Sequence, residues 1–404
     1  RQGLRVLGVA YGTPPPEPLA FTSPLIWLGL VGMADPIRSG VKEAIATFHR
    51  AGIATVMVTG DQSPTAHTIG QALNLSQGKA LKMLDGSDLS HLTPEQAGEL
   101  CQQVHIFSRI SPAHKLQVVQ ALQRAGQVVA MTGDGINDTP ALKAAEVGIA
   151  MGHSGTDAAR EVADVILQDD DLGTMVQAVS QGRTIYGNIR KAVHFLLATN
   201  LSEIMVMFAA ISLGLGQPLN ALQLLWLNLV TDIFPGLALA LEPAEPGVLT
   251  QPPRPPEEPI IQPAAFQRMV LESTVLSVSA LGAYGFALHR YGMGPQASTL
   301  GFMSLTLAQL LHALSCRSRA RCVFGPQRLP ANRYLALALS LSLTLQFGAL
   351  GIPPLGHLLR LTPLSWLDAA VITASALIPL VINEATKATP PTPAEPDQPA
   401  ARIP

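Results

Sequence analysis

Six long apolar runs in the C-terminal half most constrain what this chain can fold into. They fall at residues 192–214, 219–241, 269–288, 297–315, 333–352 and 364–383. Each is close to the roughly 20 residues that an α-helix needs to cross the hydrocarbon core of a bilayer. The sequence therefore predicts an all-α membrane bundle of six helices. An even number of spans returns the chain to the side of the bilayer on which it started.

The composition agrees with a membrane protein. Of the 404 residues 48% are hydrophobic and only 13% are charged, whereas soluble domains carry about 25% charged residues. The net charge of −2 does not indicate a nucleic-acid binder, so we expect a lipid bilayer and no nucleic acid among the partners. Cys101, Cys316 and Cys322 show neither a metal-ligand spacing nor a disulfide pattern, and we interpret them as reduced and structural.

The basic residues around the spans predict their orientation. Arg190 and Lys191 precede the first span, and five arginines lie between the fourth span and the start of the fifth. The loops on the other side carry only Arg290 and Arg360. Because Lys and Arg accumulate on the cytoplasmic side, we expect a multi-pass protein of the cell membrane whose N-terminal domain lies in the cytoplasm.

The N-terminal half alternates short apolar runs with helical ones, beginning with IWLGLVG near Leu25. This alternation favours a parallel sheet with crossover helices, an α/β domain. Functional residues of such sheets lie at the carboxyl ends of the strands. Two predicted strands end alike, in Thr59–Asp61 and in Thr132–Asp134. We expect both ends to face one phosphate-handling cleft, and two unrelated polar turns are the alternative.

The stretch Met131–Gly152 places Asp134 and Asp138 beside glycines, where a predicted strand ends and a helix begins at about Asn137. Two carboxylates at such a strand end can hold a hard cation such as Mg²⁺ against a phosphate. An ordinary strand–turn–helix connection is the alternative interpretation.

Polar residues recur on single faces of three predicted spans. They are Asn200 and Glu203 on the first, Asn228, Thr231 and Asp232 on the second, and Gln309 and His312 on the fourth. Pro235 removes a backbone hydrogen bond from the second span and frees carbonyl oxygens. Since oxygen ligands suit hard cations and ionisable groups are unfavourable in lipid, these residues predict an intramembrane cation site. Hydrogen bonds that hold the helices together are the alternative. We interpret Glu272 as a structural group near a span end.

These residues resemble one family closely, the P-type cation-transporting ATPases, and in particular its calcium-pump-like branch. Met131–Gly152 is similar to the long TGDGxNDxPAL signature of that family. Four other segments resemble its DPxR element, its TGD element, the segment with its phosphate-site lysine, and its ion-binding sixth transmembrane helix. They are Asp35–Arg38, Thr59–Asp61, Ser111–Lys115 and Leu224–Asp232.

The resemblance implies a haloacid-dehalogenase-like domain with a Rossmann-like parallel sheet, followed by the last six of ten transmembrane helices. It divides the chain into the end of a nucleotide-binding domain (1–21), an incomplete phosphorylation domain (22–182), a transmembrane domain (183–387) and a tail (388–404). We expect the proline-rich tail to be disordered. A helix that runs from about Arg183 through the first span would link the two main domains mechanically.

The resemblance also implies roles for individual residues of the cytoplasmic domain. Asp134 and Asp138 would ligate Mg²⁺ with Asn137 beside them, and Lys115 would neutralise the phosphoryl group. Thr59, Gly60, Asp61, Arg38 and Lys115 would contact phosphate or ATP. Lys115, Thr59, Asp61 and Asp138 form the expected catalytic set, because phosphoryl transfer depends on positioning and on charge neutralisation.

In the membrane the resemblance implies a transport site lined by Asn200, Glu203, Asn228, Thr231 and Asp232, with Gln309 as a further candidate. Gln309 stands where the calcium pump of sarcoplasmic reticulum carries an acid in its eighth helix. An amide lacks that charge, so a single divalent ion, or a different ion, is the expectation.

The predicted function is ATP-driven transport of a divalent cation, with Ca²⁺ first, coupled to phosphorylation of an aspartate. The DKTGT stretch that carries this aspartate in the family does not occur in the sequence. We therefore expect the C-terminal part of a pump that is inactive alone and needs its N-terminal remainder. The alternatives are a pump for Mn²⁺, Mg²⁺ or a monovalent ion, a non-catalytic half or pseudoenzyme beside a separate N-terminal half, and a phosphatase head on a membrane anchor.

Overall fold

The computed structural model describes residues 5–12, 25–33, 36–319, 321–323 and 329–387. The chain forms two compact units, the first from Arg1–Ser180 with Gly247–Pro256 and the second from Gln181–Pro246 with Glu257–Pro404. The predicted tail at 388–404 and Asp35 lie outside the described residues. The domain boundaries drawn from the sequence stay predictions.

The described part of the first unit contains three small sheets. Their strands are β1 (Arg5–Tyr11), β2 (Ile26–Met33), β3 (Met57–Val58), β4 (Met83–Asp85), β5 (Ile106–Ser108), β6 (Ala130–Gly133), β7 (Val147–Met151) and β8 (Val165–Leu167). The orders are β1-β2, β3-β5-β4 and β6-β7-β8. The second and third sheets are parallel throughout, which confirms the predicted parallel α/β organisation.

Seven helices connect and cover these strands within the described residues. They are α1 (Val41–Arg50), α2 (Ser63–Ala72), α3 (Gly86–Leu89), α4 (Pro94–Cys101), α5 (Pro112–Arg124), α6 (Thr139–Ala144) and α7 (Asp157–Val162). Their starts follow the local sequence. Ser111 caps α5 by accepting a hydrogen bond from the His114 N–H at 3.3 Å, and Pro112 occupies the first turn, where its missing N–H is harmless.

The middle strand β5 carries the core of its sheet. Ile106 and Phe107 point to opposite faces and are both fully buried, as expected for a strand covered by helices on both sides. Ile106 packs with Ala66 of α2, and Phe107 packs with Val118 of α5. This packing fixes the carboxyl end of β5, from which the chain continues into α5.

For β2, the sequence pattern predicts the wrong sheet. The run that forms β2 was expected in the parallel sheet, but β2 pairs antiparallel with β1. A parallel strand needs helical cover on both faces, whereas seven of the eight β2 residues are exposed in the described structure. Apolar composition marks a strand here, but it does not identify the pairing partner.

The second unit consists of helices. They are α8 (Leu172–Ser212, which starts in the first unit), α9 (Ala221–Leu227), α10 (Phe234–Ala240), α11 (Pro263–Tyr291), α12 (Pro295–Ser315), α13 (Arg333–Gly351), α14 (Pro353–Leu359) and α15 (Trp366–Ala385). A π-helical segment at Asn228–Ile233 joins α9 to α10. Six helical segments in the described residues are long and apolar enough to cross a membrane, namely α8, Ala221–Ala240, α11, α12, α13 and α15. The predicted six spans are thereby confirmed.

Two features of this unit matter for the site. The most apolar stretch of α12 is 78% buried, compared with 28–44% for the same stretch of the other five spans. Helix α12 is therefore the central helix, and its polar side chains point into protein. In addition, α8 begins at Leu172 rather than near Arg183, because Asp171 and Asp169 accept hydrogen bonds from Gly173 N–H and the Thr174 hydroxyl at its start.

Candidate functional site

The ends of β5 and β6 bring a lysine and a carboxylate together. Lys115, in the first turns of α5, forms an ion pair with Asp138, which precedes α6. Their side chains are only 18% and 8% exposed. The second Asp138 oxygen accepts a hydrogen bond from the Gly135 N–H at 3.3 Å. Two of the predicted site residues are therefore in contact, and the pair is screened from water.

The other predicted residues of this strand end face solvent. Asp134 and Asn137 are exposed, and the Asp134 carbonyl accepts a hydrogen bond from the Thr156 N–H at 2.8 Å. Within the described chain no ion pair or hydrogen bond joins the Asp134 carboxylate to Asp138 or Lys115. An exposed carboxylate beside a buried Lys–Asp pair fits Mg²⁺, which prefers oxygen ligands and keeps several of its waters. Asp138 is already engaged by Lys115, so a Mg²⁺ role for both carboxylates stays a prediction.

The end of β3 forms a tight polar turn. The Thr59 hydroxyl donates to Asp61 at 3.0 Å, and the Asp61 N–H donates back to the Thr59 hydroxyl at 3.1 Å. The turn is held against the end of β5, since Ile110 N–H donates to the Thr59 carbonyl and Arg109 N–H to the Asp61 carbonyl, both at 3.0 Å. Gly60 between them is exposed. These hydrogen bonds hold the turn at the carboxyl ends of β3 and β5.

Arg38 is not joined to this turn. It is exposed in the segment between β2 and α1, and no hydrogen bond or ion pair of its side chain is found among the described residues. Its contact with nucleotide stays a prediction.

Sequence reasoning missed Asp170, which orders the loop after β7. It accepts hydrogen bonds from the His153 N–H at 3.0 Å and the Ser154 N–H at 2.8 Å. Burial alone would raise the pKa of Asp170, but the hydrogen bonds from Ser154 and His153 outweigh it and lower the pKa to about 2. The loop that it holds contains Thr156, whose N–H reaches the Asp134 carbonyl. The only signal in the sequence was the acidic run at 169–171.

A second site lies inside the helical unit, around Asp232 of the π-helical segment. Three side chains lie within hydrogen-bond distance of its carboxylate: the Thr199 hydroxyl at 3.1 Å, the Asn200 amide nitrogen at 3.0 Å and the Thr231 hydroxyl at 3.2 Å. Thr199 and Thr231 are fully buried, and Asp232 is 9% exposed. The predicted residues Asn200, Thr231 and Asp232 are thus in one cluster, to which Thr199 is added.

Gln309 of α12 joins this cluster to the second carboxylate. Its amide nitrogen donates to Glu203 at 3.3 Å and to the Ser202 hydroxyl at 3.2 Å, and its amide oxygen lies 3.2 Å from the Thr231 hydroxyl. Gln309 and Ser202 are fully buried, and Glu203 is 6% exposed. Glu203, Gln309, Thr231 and Asp232 therefore form one continuous network, which we call the oxygen network together with Thr199, Asn200 and Ser202.

The backbone next to the oxygen network departs from α-helical geometry. The π-helical segment at Asn228–Ile233 directly precedes Phe234–Pro235. Pro235 has no N–H, so the carbonyl four residues earlier, that of Thr231, has no α-helical donor. The Asn228 side-chain oxygen is buried without a hydrogen-bond partner among the described residues. Short π segments often mark functional sites, and this one contains Asp232 of the oxygen network and the unpartnered Asn228 oxygen.

The chemistry of the oxygen network suits a hard cation. Neither Glu203 nor Asp232 has an ion-pair partner in the described structure, and a buried carboxylate without a counter-charge is strongly unfavourable. Carboxylate, amide, hydroxyl and carbonyl oxygens are the ligands that Ca²⁺ and similar ions prefer. His312, predicted on the same face as Gln309, instead contacts Glu272 at 3.6 Å. Glu272 is itself 5% exposed.

Comparison with known proteins agrees with this two-part arrangement. A family model described as "Cation transporting ATPase, C-terminus" matches residues 216–389, and one described as "haloacid dehalogenase-like hydrolase" matches residues 17–146. The chain belongs to the P-type cation-transporting ATPases. Its first unit contains the haloacid-dehalogenase-like domain, matched at residues 17–146. Its six apolar helices make it a multi-pass membrane protein.

The chain is also similar to individual proteins of this ATPase family. The chain is 36% identical to "Calcium-transporting ATPase 1" of Bacillus cereus over 96% of its own length and 45% of the relative's. It is 40% identical to "Calcium-transporting ATPase" of Bacillus subtilis over 93% and 43%. It is 36% identical to "Calcium-transporting ATPase type 2C member 2" of Mus musculus over 95% and 40%. The chain thus spans less than half the length of these curated relatives.

Proposed function

We propose that this chain is the C-terminal part of an ATP-driven pump that moves a divalent cation, with Ca²⁺ as its cargo. The observation that carries the proposal is the oxygen network, in which Glu203 and Asp232 are linked through Gln309 and Thr231. Two buried carboxylates balance the charge of one divalent ion. Relatives named as calcium-transporting ATPases support Ca²⁺ as the first candidate.

The ligand count also supports Ca²⁺, which takes six to eight oxygens in flexible geometry. Glu203 and Asp232 offer four carboxylate oxygens, Asn228 has an unpartnered amide oxygen, and the Thr231 carbonyl lacks an α-helical donor. Gln309 adds an amide oxygen. Mn²⁺ and Mg²⁺ accept the same donors but prefer smaller, more regular shells, so they rank after Ca²⁺ and monovalent ions follow.

We also propose the phosphoryl-transfer role of the first unit. Lys115 would neutralise charge on a phosphoryl group, and Asp138 would hold the lysine in place. Asp134, with Asn137 beside it, would hold Mg²⁺, which when bound supplies further charge neutralisation. Thr59, Gly60, Asp61 and Arg38 would contact phosphate or ATP. The phosphorylated aspartate would come from the N-terminal remainder of the pump, so the chain alone is expected to be inactive.

The first experiment measures ATP hydrolysis by the complete pump, in vesicles, against a panel of Ca²⁺, Mn²⁺, Mg²⁺ and monovalent ions. We expect Ca²⁺ to stimulate turnover, and Asp232→Asn to raise the half-stimulating concentration at least about tenfold, because removing one buried charged partner costs several kcal/mol. Glu257→Gln, on the exposed loop before α11, is the matched control. Stimulation that is unchanged in Asp232→Asn would falsify the oxygen network as the transport site.

The same panel separates the alternatives. Stimulation by Mn²⁺ or Mg²⁺ but not by Ca²⁺ would keep the site and change the cargo. Hydrolysis of small phosphoesters by the chain alone would instead favour a phosphatase head on a membrane anchor. Absence of any cation-stimulated hydrolysis in the complete protein, despite normal folding, would favour a non-catalytic half.

A further inference from the structure

A second buried cluster in the helical unit consists of nitrogen and sulfur donors. It contains His194 of α8, Glu272 of α11, and His312 and Cys316 at the end of α12. One nitrogen of each histidine and the Cys316 sulfur lie within 4.8 Å of one another. All four side chains are at least nine-tenths buried. None of the transport or phosphoryl-transfer roles proposed above uses this cluster.

The cluster is separate from the oxygen network. On α8, His194 precedes Asn200 by six residues, which corresponds to about 9 Å along the helix axis. On α12, His312 lies one turn beyond Gln309. No side-chain hydrogen bond in the described chain joins His194, Glu272 or His312 to Glu203 or Asp232. The two clusters also differ in chemistry, since one offers oxygens and the other imidazoles and a thiol.

His194 is arranged as a metal-binding histidine usually is. Its Nε2 lies 2.6 Å from Glu272 Oε2, and the other Glu272 oxygen accepts a hydrogen bond from Arg268 Nε at 2.5 Å. The Nδ1 of His194 is buried and has no hydrogen-bond partner among the described residues. Metal-bound histidines commonly donate one ring N–H to a carboxylate and bind the ion with the other nitrogen. The carboxylate of Glu272 holds one ring nitrogen of His194 in this way, and one nitrogen of His194 lies within 4.8 Å of the ligand atoms of His312 and Cys316.

His312 and Cys316 present a second and third ligand from one helix. They are four residues apart, on one face of the end of α12, and His312 Nε2 lies 3.3 Å from the Cys316 sulfur. The Asn383 amide nitrogen is 3.5 Å from His312 Nδ1, while the Asn383 amide oxygen is buried without a partner. Rotating this amide by 180° would let its oxygen accept from His312 Nδ1–H. Nε2 would then be free to bind an ion.

We propose that His194, His312 and Cys316 form a binding site for a transition-metal ion of the Zn²⁺ class. Tetrahedral Zn²⁺ with bonds of about 2.0 Å to nitrogen and 2.3 Å to sulfur separates its ligand atoms by about 3.3–3.6 Å. The observed 3.3 Å between His312 and Cys316 matches this separation. Water completes the shell. Binding releases the thiol proton of Cys316 to solvent.

The types of donor atom also determine which ions the site binds weakly. Imidazole and thiolate ligands favour Zn²⁺, Co²⁺ and similar ions, whereas Ca²⁺ and Mg²⁺ require oxygens. Ca²⁺ in excess therefore leaves this site unfilled, and Zn²⁺ binds it at concentrations that do not fill the oxygen network.

The test is a Co²⁺ titration of the chelator-treated, detergent-solubilised complete protein, followed by absorption spectroscopy. We expect one equivalent of Co²⁺ to give the sulfur-to-cobalt charge-transfer band and the visible bands of tetrahedral cobalt. Zn²⁺ removes both bands, and Ca²⁺ in large excess leaves them unchanged. A protein that shows no such bands at saturating Co²⁺ overturns the proposal.

Variants tie the spectrum to the residues. Cys316→Ser loses the charge-transfer band, and His194→Asn weakens Zn²⁺ binding by at least about tenfold. Cys322→Ser is the matched thiol control and keeps the band, as does Asp232→Asn, since the oxygen network is separate. A band that persists in Cys316→Ser, or one that disappears in Asp232→Asn, contradicts the assignment.

A measurement on the unaltered protein guards against variants that fold poorly. X-ray absorption at the zinc edge of the Zn²⁺-loaded protein should show sulfur at about 2.3 Å and nitrogen at about 2.0 Å. A coordination shell of oxygen alone overturns the proposal whatever the variants do.

Discussion

At the scale of single residues, the Lys115–Asp138 ion pair depends on a position that has no side chain. A Cβ atom at Gly133 would lie 2.5 Å from the Asp138 Cβ, which is far inside van der Waals contact. Gly135, two residues later, would place its Cβ 3.7 Å from the nearest Asp138 oxygen, an ordinary contact. A side chain at Gly133 would therefore clash with Asp138, whereas a methyl group at Gly135 would fit.

This difference gives a matched pair of variants. Gly133→Ala should displace Asp138 and lower the free energy of unfolding of the first unit by about 1–3 kcal/mol, as overpacking does. Gly135→Ala should change it by much less. Thermal unfolding of the complete protein, followed by a probe in the first unit, measures both. Equal destabilisation by the two variants would contradict the steric argument.

The depressed pKa of Asp170 predicts a pH dependence. Its pKa is about 2 in the folded protein and about 3.9 in an unfolded chain. The ionised carboxylate therefore stabilises the fold above pH 3.9, and this stabilisation is lost as the pH falls through 2. Asp170→Asn, which tolerates the positive φ of 53° at this position, should lower the melting temperature at pH 7.

The comparison needs a second pH to be decisive. The difference in melting temperature between Asp170→Asn and the unaltered protein should shrink as the pH approaches 2. Hydrogen exchange of the His153 and Ser154 amides should be faster in the variant at pH 7 only. A pH-independent difference would show that the carboxylate charge is not responsible.

The chemistry of single side chains also explains which site residues could be predicted from the sequence. Glu203 and Asp232 stood out because ionisable groups are rare in apolar runs. Thr199 and Ser202 did not, because hydroxyls in membrane helices usually bond to their own backbone. Both do so here, to the Phe195 and Thr199 carbonyls. Their additional contacts arise from α12 and the π-helical segment, which are distant in sequence.

At the scale of elements, the π-helical segment is the feature that sequence reasoning reached only in part. Pro235 predicted a break in the second span, since the missing N–H can be read from the sequence. Which carbonyls reconnect to which donors depends on packing against α12 and α13, so the π geometry at Asn228–Ile233 was not predictable. The pairing of β2 with β1 was missed for a similar reason, because strand patterns do not specify partners.

Two prolines in the spans allow the π-helical segment to be tested. Pro235→Ala restores an N–H and should let a regular α-helix replace the π segment, which withdraws the freed carbonyl. We expect the half-stimulating Ca²⁺ concentration of the complete pump to rise by about tenfold or more. Pro379→Ala, inside α15, removes a proline from another span and should leave the half-stimulating Ca²⁺ concentration unchanged. If both variants raised this concentration similarly, the rise would reflect general helix stability and not the π-helical segment.

At the scale of the whole molecule, α8 is one uninterrupted helix of 41 residues, about 60 Å long. It carries Thr199, Asn200 and Glu203 of the oxygen network near its C-terminal end. Asn188, further toward its start, donates to the Glu242 carbonyl at 2.6 Å. Because helices are stiff, we expect α8 to transmit displacements at its N-terminal end to the oxygen network.

A single inserted glycine tests this transmission. One extra residue after Asn188 rotates the two parts of α8 by about 100° relative to each other. In the complete pump, Ca²⁺ uptake should be lost while phosphorylation from ATP persists. The same insertion after Gly214, beyond the end of α8, is the control. Uptake that survives insertion at Asn188 would exclude α8 as the mechanical link.

The buried position of α12 also has a consequence for how the protein is made. A helix with Gln309, His312, Ser304 and Thr306 buried at its protein contacts presents those polar groups to lipid if it enters the bilayer alone. Only three residues, Gly292–Gly294, separate it from α11, and the two helices pack together. During synthesis α12 should therefore integrate as one arm of a hairpin with α11, and it should leave the insertion machinery only when α11 shields its polar face.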